Sequence, residues 1–306
     1  MARVESASYS ESVQKMKKMR EKISIIARPY FYYELPAWGK IYNFIVGDFK
    51  KNADWAGSTP RVWRNKLTGL WHLSRLEEWS DRSGFFLSRW YDKKAWILCK
   101  NTLKPGDVVL DVGANYGNFA MLAAYCIGPQ GYVLAFEPNP ISFGRLMTHL
   151  SMNPGLPVEA RMLALGNKEE TAAMSVPEVN SGEATLARSI YADDMIRKVD
   201  VKIVNGDREI EDKPIKFIKI DVEGWETNVI LGLKGAILKY RPTIYTEIID
   251  KHLRAAGSSA EIFVLQMIEL GYRGELVQLG RRGTDITLSE FNPGRGDGDV
   301  LWTWQG

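Results

Sequence analysis

Apolar residues near the start of the chain recur at steps of three and four, at Met16, Met19, Ile23 and Ile26, with Lys15, Lys17, Lys18, Arg20 and Lys22 filling other positions. That spacing predicts a basic amphipathic helix from Glu11 to Arg28. Pro29 should end it, because its ring removes a backbone donor. A stripe of this kind can cover its own domain, lie on a membrane surface or pair with another subunit. The next stretch, residues 30 to 96, carries Trp38, Trp55, Trp63, Trp71, Trp79, Trp90 and Trp96. Most of these read as core, since large aromatics dominate burial.

After the turn signal Lys104-Pro105-Gly106-Asp107, the pattern changes to alternating strands and helices. Strands are predicted at Val108–Val112, Tyr132–Phe136, Val158–Leu165, Ile215–Ile220 and Thr243–Ile248, and helices at Phe119–Ile127, Pro140–Leu150, Trp225–Tyr240 and Ala260–Leu270. Such alternation implies a mostly parallel sheet covered on both faces. Two further strands, Arg273–Leu279 and Val300–Trp304, have no helical pattern between them and should pair antiparallel as a hairpin. The predicted fold is therefore α/β, a doubly wound seven-stranded Rossmann-like sheet closed by that hairpin. Residues 1–100 form a helical, basic, aromatic-rich N-terminal extension, read as a cap, and residues 101–306 the sheet domain.

Composition narrows the class. The 306 residues carry a net charge of +3, but residues 1 to 104 hold 20 Lys/Arg against 10 Asp/Glu and the remainder 20 against 27. A basic front suits a partner carrying phosphates, or is simply a solvated surface. Cys99 and Cys126 have no paired spacing, which fits buried thiols in a reducing compartment. With no apolar run of membrane-helix length and no signal core, a cytoplasmic protein is expected.

The chemistry concentrates in Asp111-Val-Gly113-Ala-Asn115-Tyr-Gly117, between a strand and a helix. Glycines there let the backbone turn sharply and approach a ligand. Twenty residues on, Glu137 ends the second strand, where a carboxylate can accept hydrogen bonds from ribose hydroxyls. Asn115 stands where a dinucleotide fingerprint has its middle glycine. That weakens a pyrophosphate reading and leaves adenosine-plus-amino-acid binding intact.

Together with Lys-Pro-Gly-Asp at 104–107, Phe136-Glu-Pro138, Phe217-Ile-Lys-Ile-Asp221-Val-Glu223-Gly224-Trp-Glu226 and Pro242-Thr-Ile-Tyr-Thr-Glu247, this run resembles the FkbM family of methyltransferases over roughly residues 80 to 280. The resemblance implies S-adenosyl-L-methionine as cofactor, with Asp111, Gly113, Asn115, Gly117, Asn118, Glu137, Pro138, Asn139, Ala164 and Asp221 as its contacts. It also implies O-methylation of a sugar, glycan, glycolipid or natural-product hydroxyl. Ala120 departs from relatives that carry Thr or Ser.

Asp221 and Glu223 sit two apart at a strand end, so on extended chain both point to one side. Methyl transfer to an alcohol needs its proton removed. The candidate bases are Asp221, Glu223, Glu247 and His252, the last placed in a loop. The same carboxylates could hold a divalent cation, which this reading does not require, and no metal ligand is assigned. The segment Pro177 to Ser189 reads as a loop near the substrate, and Arg89, Trp90 and Tyr91 as residues that close over the cofactor. Expected partners are a small-molecule or glycan acceptor, with phosphate- or lipid-linked acceptors included, and no nucleic acid. Peripheral membrane contact and oligomerisation are left open. The competing readings are a nicotinamide-dependent oxidoreductase, a nucleic-acid methyltransferase and a non-catalytic scaffold.

Overall fold

The computed structural model describes residues 17–177, 184–187, 195–210, 213–281 and 283–306. The chain forms two compact units, one up to Tyr91 and one from Asp92 to Gly306. The helix Lys93–Thr102 thus belongs to the second unit, although the sequence reading put most of it in the first.

In the first unit, residues 17–26 are helical, and the remainder of the expected helix, 11–16, lies outside the described residues. A break at Ala27 is followed by a new helix, Arg28–Tyr32, with Pro29 in its first turn. The first helix thus stops just before Pro29, as expected, and the proline sits in the first turn of the next, where its missing N–H is not needed. The unit is not purely helical. Strands β1 (Arg61–Arg64) and β2 (Trp71–Ser74) pair antiparallel, and the core gathers Phe31, Tyr42, Trp55, Trp63 and Phe86.

The second unit contains the expected α/β sheet. Its strands, in chain order, are β3 (Val108–Val112), β4 (Tyr132–Phe136), β5 (Val158–Arg161), β9 (Ile215–Ile220), β10 (Thr243–Ile248), β11 (Tyr272–Leu279), β12 (Ile286–Glu290) and β13 (Gly298–Trp304). They lie in the order β12-β11-β13-β10-β9-β3-β4-β5. From β10 to β5 the pairing is parallel, while β13 runs antiparallel to both β10 and β11. The sheet has eight strands among the described residues: β12 adds an edge beyond the seven expected.

The predicted strand Val158–Leu165 is two strands in different sheets. After β5 the chain enters β6 (Ala164–Gly166), which joins β7 (Glu170–Pro177) and β8 (Ile196–Asn205) in a separate three-stranded sheet, order β6-β8-β7. The helix expected from Trp225 to Tyr240 divides at Leu233 into Glu226–Gly232 and Lys234–Tyr240. Gly232 ends the first of these, where a Cβ would overlap the Gly166 carbonyl oxygen of β6.

Strands β3, β9 and β10 are largely apolar because both faces of a parallel sheet are covered. Leu110, Ile218, Ile220, Ile244, Phe263 and Trp302 meet in one core. Trp302 packs edge-on against Phe263, with ring centroids 5.7 Å apart, and its Nε1 donates to Thr246 Oγ1 at 2.9 Å. Among the described residues, no helix is long and apolar enough to cross a membrane.

Replacing Trp302 by Ala removes a buried ring and strands the Thr246 hydroxyl. The unfolding free energy of the chain, measured by urea titration, should fall by about 3–5 kcal/mol.

Candidate active site

The site forms at the carboxyl ends of β3, β4 and β9, where the connections that follow β3 and β9 leave in opposite directions and open a crevice. The chain after β3 turns back at once. Gly113 and Ala114 donate their N–H groups to the Phe136 carbonyl at 3.0 and 2.9 Å, which ties the loop to the end of β4. Gly113 has φ +79°, and a Cβ there would overlap the Asp221 carbonyl oxygen. Asn115 is also left-handed, at φ +50°, a conformation asparagine tolerates better than most residues.

Glu137 is the anchor of this loop. One carboxylate oxygen accepts the Asn115 N–H at 2.7 Å and the other the Asn139 N–H at 2.8 Å. These bonds favour the ionised form, but burial outweighs them and raises its pKa to about 7. Asn139 in turn caps the helix Pro140–Met152 by accepting the Ile141 N–H at 3.1 Å. Local backbone bonds thus orient Glu137 while its remaining lone pairs stay open to a ligand.

A crevice that opens to solvent is lined by Gly113, Asn115, Glu137, Pro138, Ala164, Asp221 and Glu223, together with Trp225 and Met174. Seven of the residues singled out from sequence therefore share one wall. The others lie elsewhere. Gly117 is the left-handed residue before the helix Asn118–Ile127, and Asn118 is its first residue. Asn139 and Asp111 are wholly buried behind the cavity. Ala184 and Leu186, within the loop expected near a substrate, also line the cavity; residues 178–183, 188 and 189 of that loop lie outside the described residues. Arg89 is engaged in the first unit by Glu34, at 2.9 Å.

Lys219, which the sequence reading missed, organises the acids. Its Nζ lies 3.2 Å from Asp221 and 3.5 Å from Asp111, and donates to the Gly113 carbonyl at 2.8 Å. Burial opposes its charge, but Asp221 and Asp111 prevail and hold its pKa above the ordinary lysine value. Asp111 therefore acts on the loop through Lys219, with burial raising its own pKa against the lysine's pull.

Asp221, Glu223 and Glu247 each offer an oxygen within 4.8 Å of the others. Glu223 sits at φ +53°, and its carboxylate is 2.7 Å from His252 Nδ1. His252 lies in a short helix, Asp250–Ala255, and not in the loop expected. Gly224 lets that helix approach: a Cβ at Gly224 would overlap the His252 carbonyl oxygen. Thr185 donates its hydroxyl to the Glu223 carbonyl at 2.6 Å. Glu226 folds back under the turn, accepting the Val222 and Gly224 N–H groups at 3.3 and 3.2 Å, and burial raises it to about 7. Glu247 is raised to about 9, first by burial and then by Asp221, Glu223 and Asp299. That shift favours its protonated form, which can donate a hydrogen bond.

Two buried atoms on the cavity wall, Asn115 Oδ1 and Trp225 Nε1, have no hydrogen-bond partner among the described residues. A ligand offering a donor and an acceptor would satisfy both. With the paired lone pairs of Glu137, this set fits a nucleoside better than an apolar guest.

Residues 111–273 match the sequence model described as the methyltransferase FkbM domain. The hexuronic acid methyltransferase AglP of Haloferax volcanii is 26% identical over 189 residues, 58% of this chain and 72% of that protein. The 31-O-demethyl-FK506 methyltransferase FkbM of Streptomyces tacrolimicus is 57% identical over 44 residues, 14% of this chain and 16% of its own length. Among solved structures, the methyltransferase FkbM from Methylobacillus flagellatus KT aligns with a TM-score of 0.41 and 15% identity, covering 87% of this chain and 60% of that one.

Carboxyl groups raised on folding stabilise the protein below their unfolded pKa and lose that contribution as pH rises through the folded value. Stability of the ligand-free chain should therefore fall from about pH 4.5 through 7 as Glu137 and Glu226 ionise, and on toward 9 with Glu247. In thermal melts, Glu247→Gln should flatten the decline between pH 7 and 9 and leave the lower part in place. Lys219→Met, which leaves Asp111 and Asp221 without their cation, should cost about 3–5 kcal/mol in urea unfolding at pH 7.5.

Proposed function

We propose that this chain, which belongs to the methyltransferase FkbM domain family, transfers a methyl group from S-adenosyl-L-methionine to a hydroxyl of a sugar, glycan, glycolipid or related natural product. The observation that carries this reading is a single cavity holding both the ribose-type carboxylate Glu137 and the acid pair Asp221 and Glu223. Bound S-adenosyl-L-methionine would supply an electrophilic sulfonium methyl group. Glu137 would accept from the ribose hydroxyls, Asn115 and Trp225 would pair their orphaned atoms, and Asp221 would face the ammonium of the amino-acid portion. Ala164 would lie near the adenine.

The three clustered carboxylates differ in their partners, and this divides their roles. Asp221 is neutralised by Lys219, and burial favours the protonated form of Glu247. Glu223 is left as the carboxylate that can receive the acceptor's hydroxyl proton, with His252 as its positioning residue at 2.7 Å. Glu247 would donate a hydrogen bond to the acceptor oxygen and orient it. Holding the acceptor in line supplies much of the acceleration, and the base a further factor.

The sugar class is supported by the name of the Haloferax volcanii relative, a hexuronic acid methyltransferase. Asn115 at the middle-glycine position and the family membership both favour methyl transfer over hydride transfer.

Calorimetry on folded protein should detect S-adenosylhomocysteine, and Glu137→Ala should weaken its binding about tenfold or more. Glu223→Gln should leave that affinity unchanged and lower kcat about 10²–10⁴-fold, measured as transfer of labelled methyl to fractionated glycans and glycolipids. Failure of the wild-type chain to bind either S-adenosyl-L-methionine or S-adenosylhomocysteine would refute the assignment.

A further inference from the structure

The helix at residues 17–26 is mounted inside out. Its charged and polar face turns toward the protein: Arg20 bonds Asp54 and donates to the Ile45 carbonyl at 2.8 Å, Glu21 pairs with Arg61 at 2.7 Å, and Lys17 donates to the Ala53 carbonyl at 2.8 Å. Ser24 on that face is fully buried. Its apolar stripe of Met19, Ile23 and Ile26 faces solvent, and Ile26 is 79% exposed. A surface helix normally buries such a stripe.

The neighbouring element repeats the arrangement. In the helix Trp38–Ile45, Tyr42 points into the core while Ile41 and Phe44 point out, with Phe44 82% exposed. Phe49, just beyond it, is 63% exposed. The two elements meet where Arg20 grips the Ile45 carbonyl. Lysines flank the exposed stripes at Lys18, Lys22, Lys40 and Lys50, all solvent-facing.

We infer that this face of the N-terminal unit docks on an anionic lipid surface, with Ile23, Ile26, Phe44 and Phe49 entering the interfacial layer and the flanking lysines meeting lipid headgroups. Apolar side chains gain by leaving water, and basic neighbours gain only over a negatively charged layer. A second copy of the chain suits the face less well. A two-fold interface sets the same patch against itself, so two lysine-flanked surfaces of like charge would be brought together. This inference is independent of the methyl-transfer reading.

The test is co-sedimentation of the full chain with vesicles of pure phosphatidylcholine or of phosphatidylcholine with about one-third phosphatidylglycerol. Binding is expected to the anionic vesicles, weakening as salt is raised. The double variant Ile26→Ser, Phe44→Ser should reduce it about tenfold or more, with an unchanged circular dichroism spectrum because both side chains are exposed. Lys18→Glu with Lys22→Glu should weaken it without touching the apolar stripe. Equal binding to both vesicle types, no binding to either, or binding that survives both variants overturns the proposal. So does sedimentation velocity showing a dimer that Ile26→Ser, Phe44→Ser dissociates.

Discussion

The ammonium of Lys219 is the hinge of the second unit. A buried cation among two carboxylates and a carbonyl stands only if every partner is in place, since each ion has given up its hydration. Here the partners come from three places: Asp111 within β3, the Gly113 carbonyl just after it, and Asp221 at the end of β9. The same group that makes the acids tolerable thus fixes the glycine loop against the neighbouring strand. Because Gly113 and Ala114 are also bonded to the end of β4, three strand ends are held in one frame before any ligand arrives. Pre-set geometry of this kind is what a positioned reaction requires.

From that frame the acid cluster acquires unequal members. Three carboxylates within 4.8 Å cannot all stay charged and unpartnered. A lysine takes the first, a histidine faces the second, and the third, Glu247, favours its protonated form. Asp299, opposite Glu247 on β13, adds to the repulsion, yet it is itself engaged by Lys94. The cluster therefore holds three unlike carboxyl groups, one ion-paired, one facing a histidine and one whose neutral form burial favours.

How much of this was legible beforehand follows from the physics of each element. Strands β3, β4, β9 and β10 were readable to the residue, because doubly covered parallel strands are short apolar runs with sharp ends. Strands β7 and β8 were missed. Segments such as Lys198-Val-Asp200-Val-Lys202 alternate on a half-exposed sheet and sit amid turn-like sequence. Val158–Leu165 read as one strand because Met162-Leu163, where the chain changes sheet, is itself apolar and carries no turn residue. In the candidate site, the glycines and Glu137 carried recognisable spacing. Lys219 did not: either lysine of Ile-Lys-Phe-Ile-Lys-Ile looks like an outward residue, and only the buried Asp111 on the neighbouring strand explains the second. The N-terminal helix had the right period. Periodicity does not say which face a helix turns inward, and the ion pairs of Arg20 and Glu21 decided that.

The small sheet of β6, β7 and β8 is an excursion of the chain between β5 and β9, and it supplies Ala164, Met174 and the Thr185 clasp on Glu223. Lengthening or shortening such a detour leaves the ladder of the large sheet in register. The stretch of cavity wall that the detour supplies can therefore change shape without disturbing the frame that Lys219 holds together.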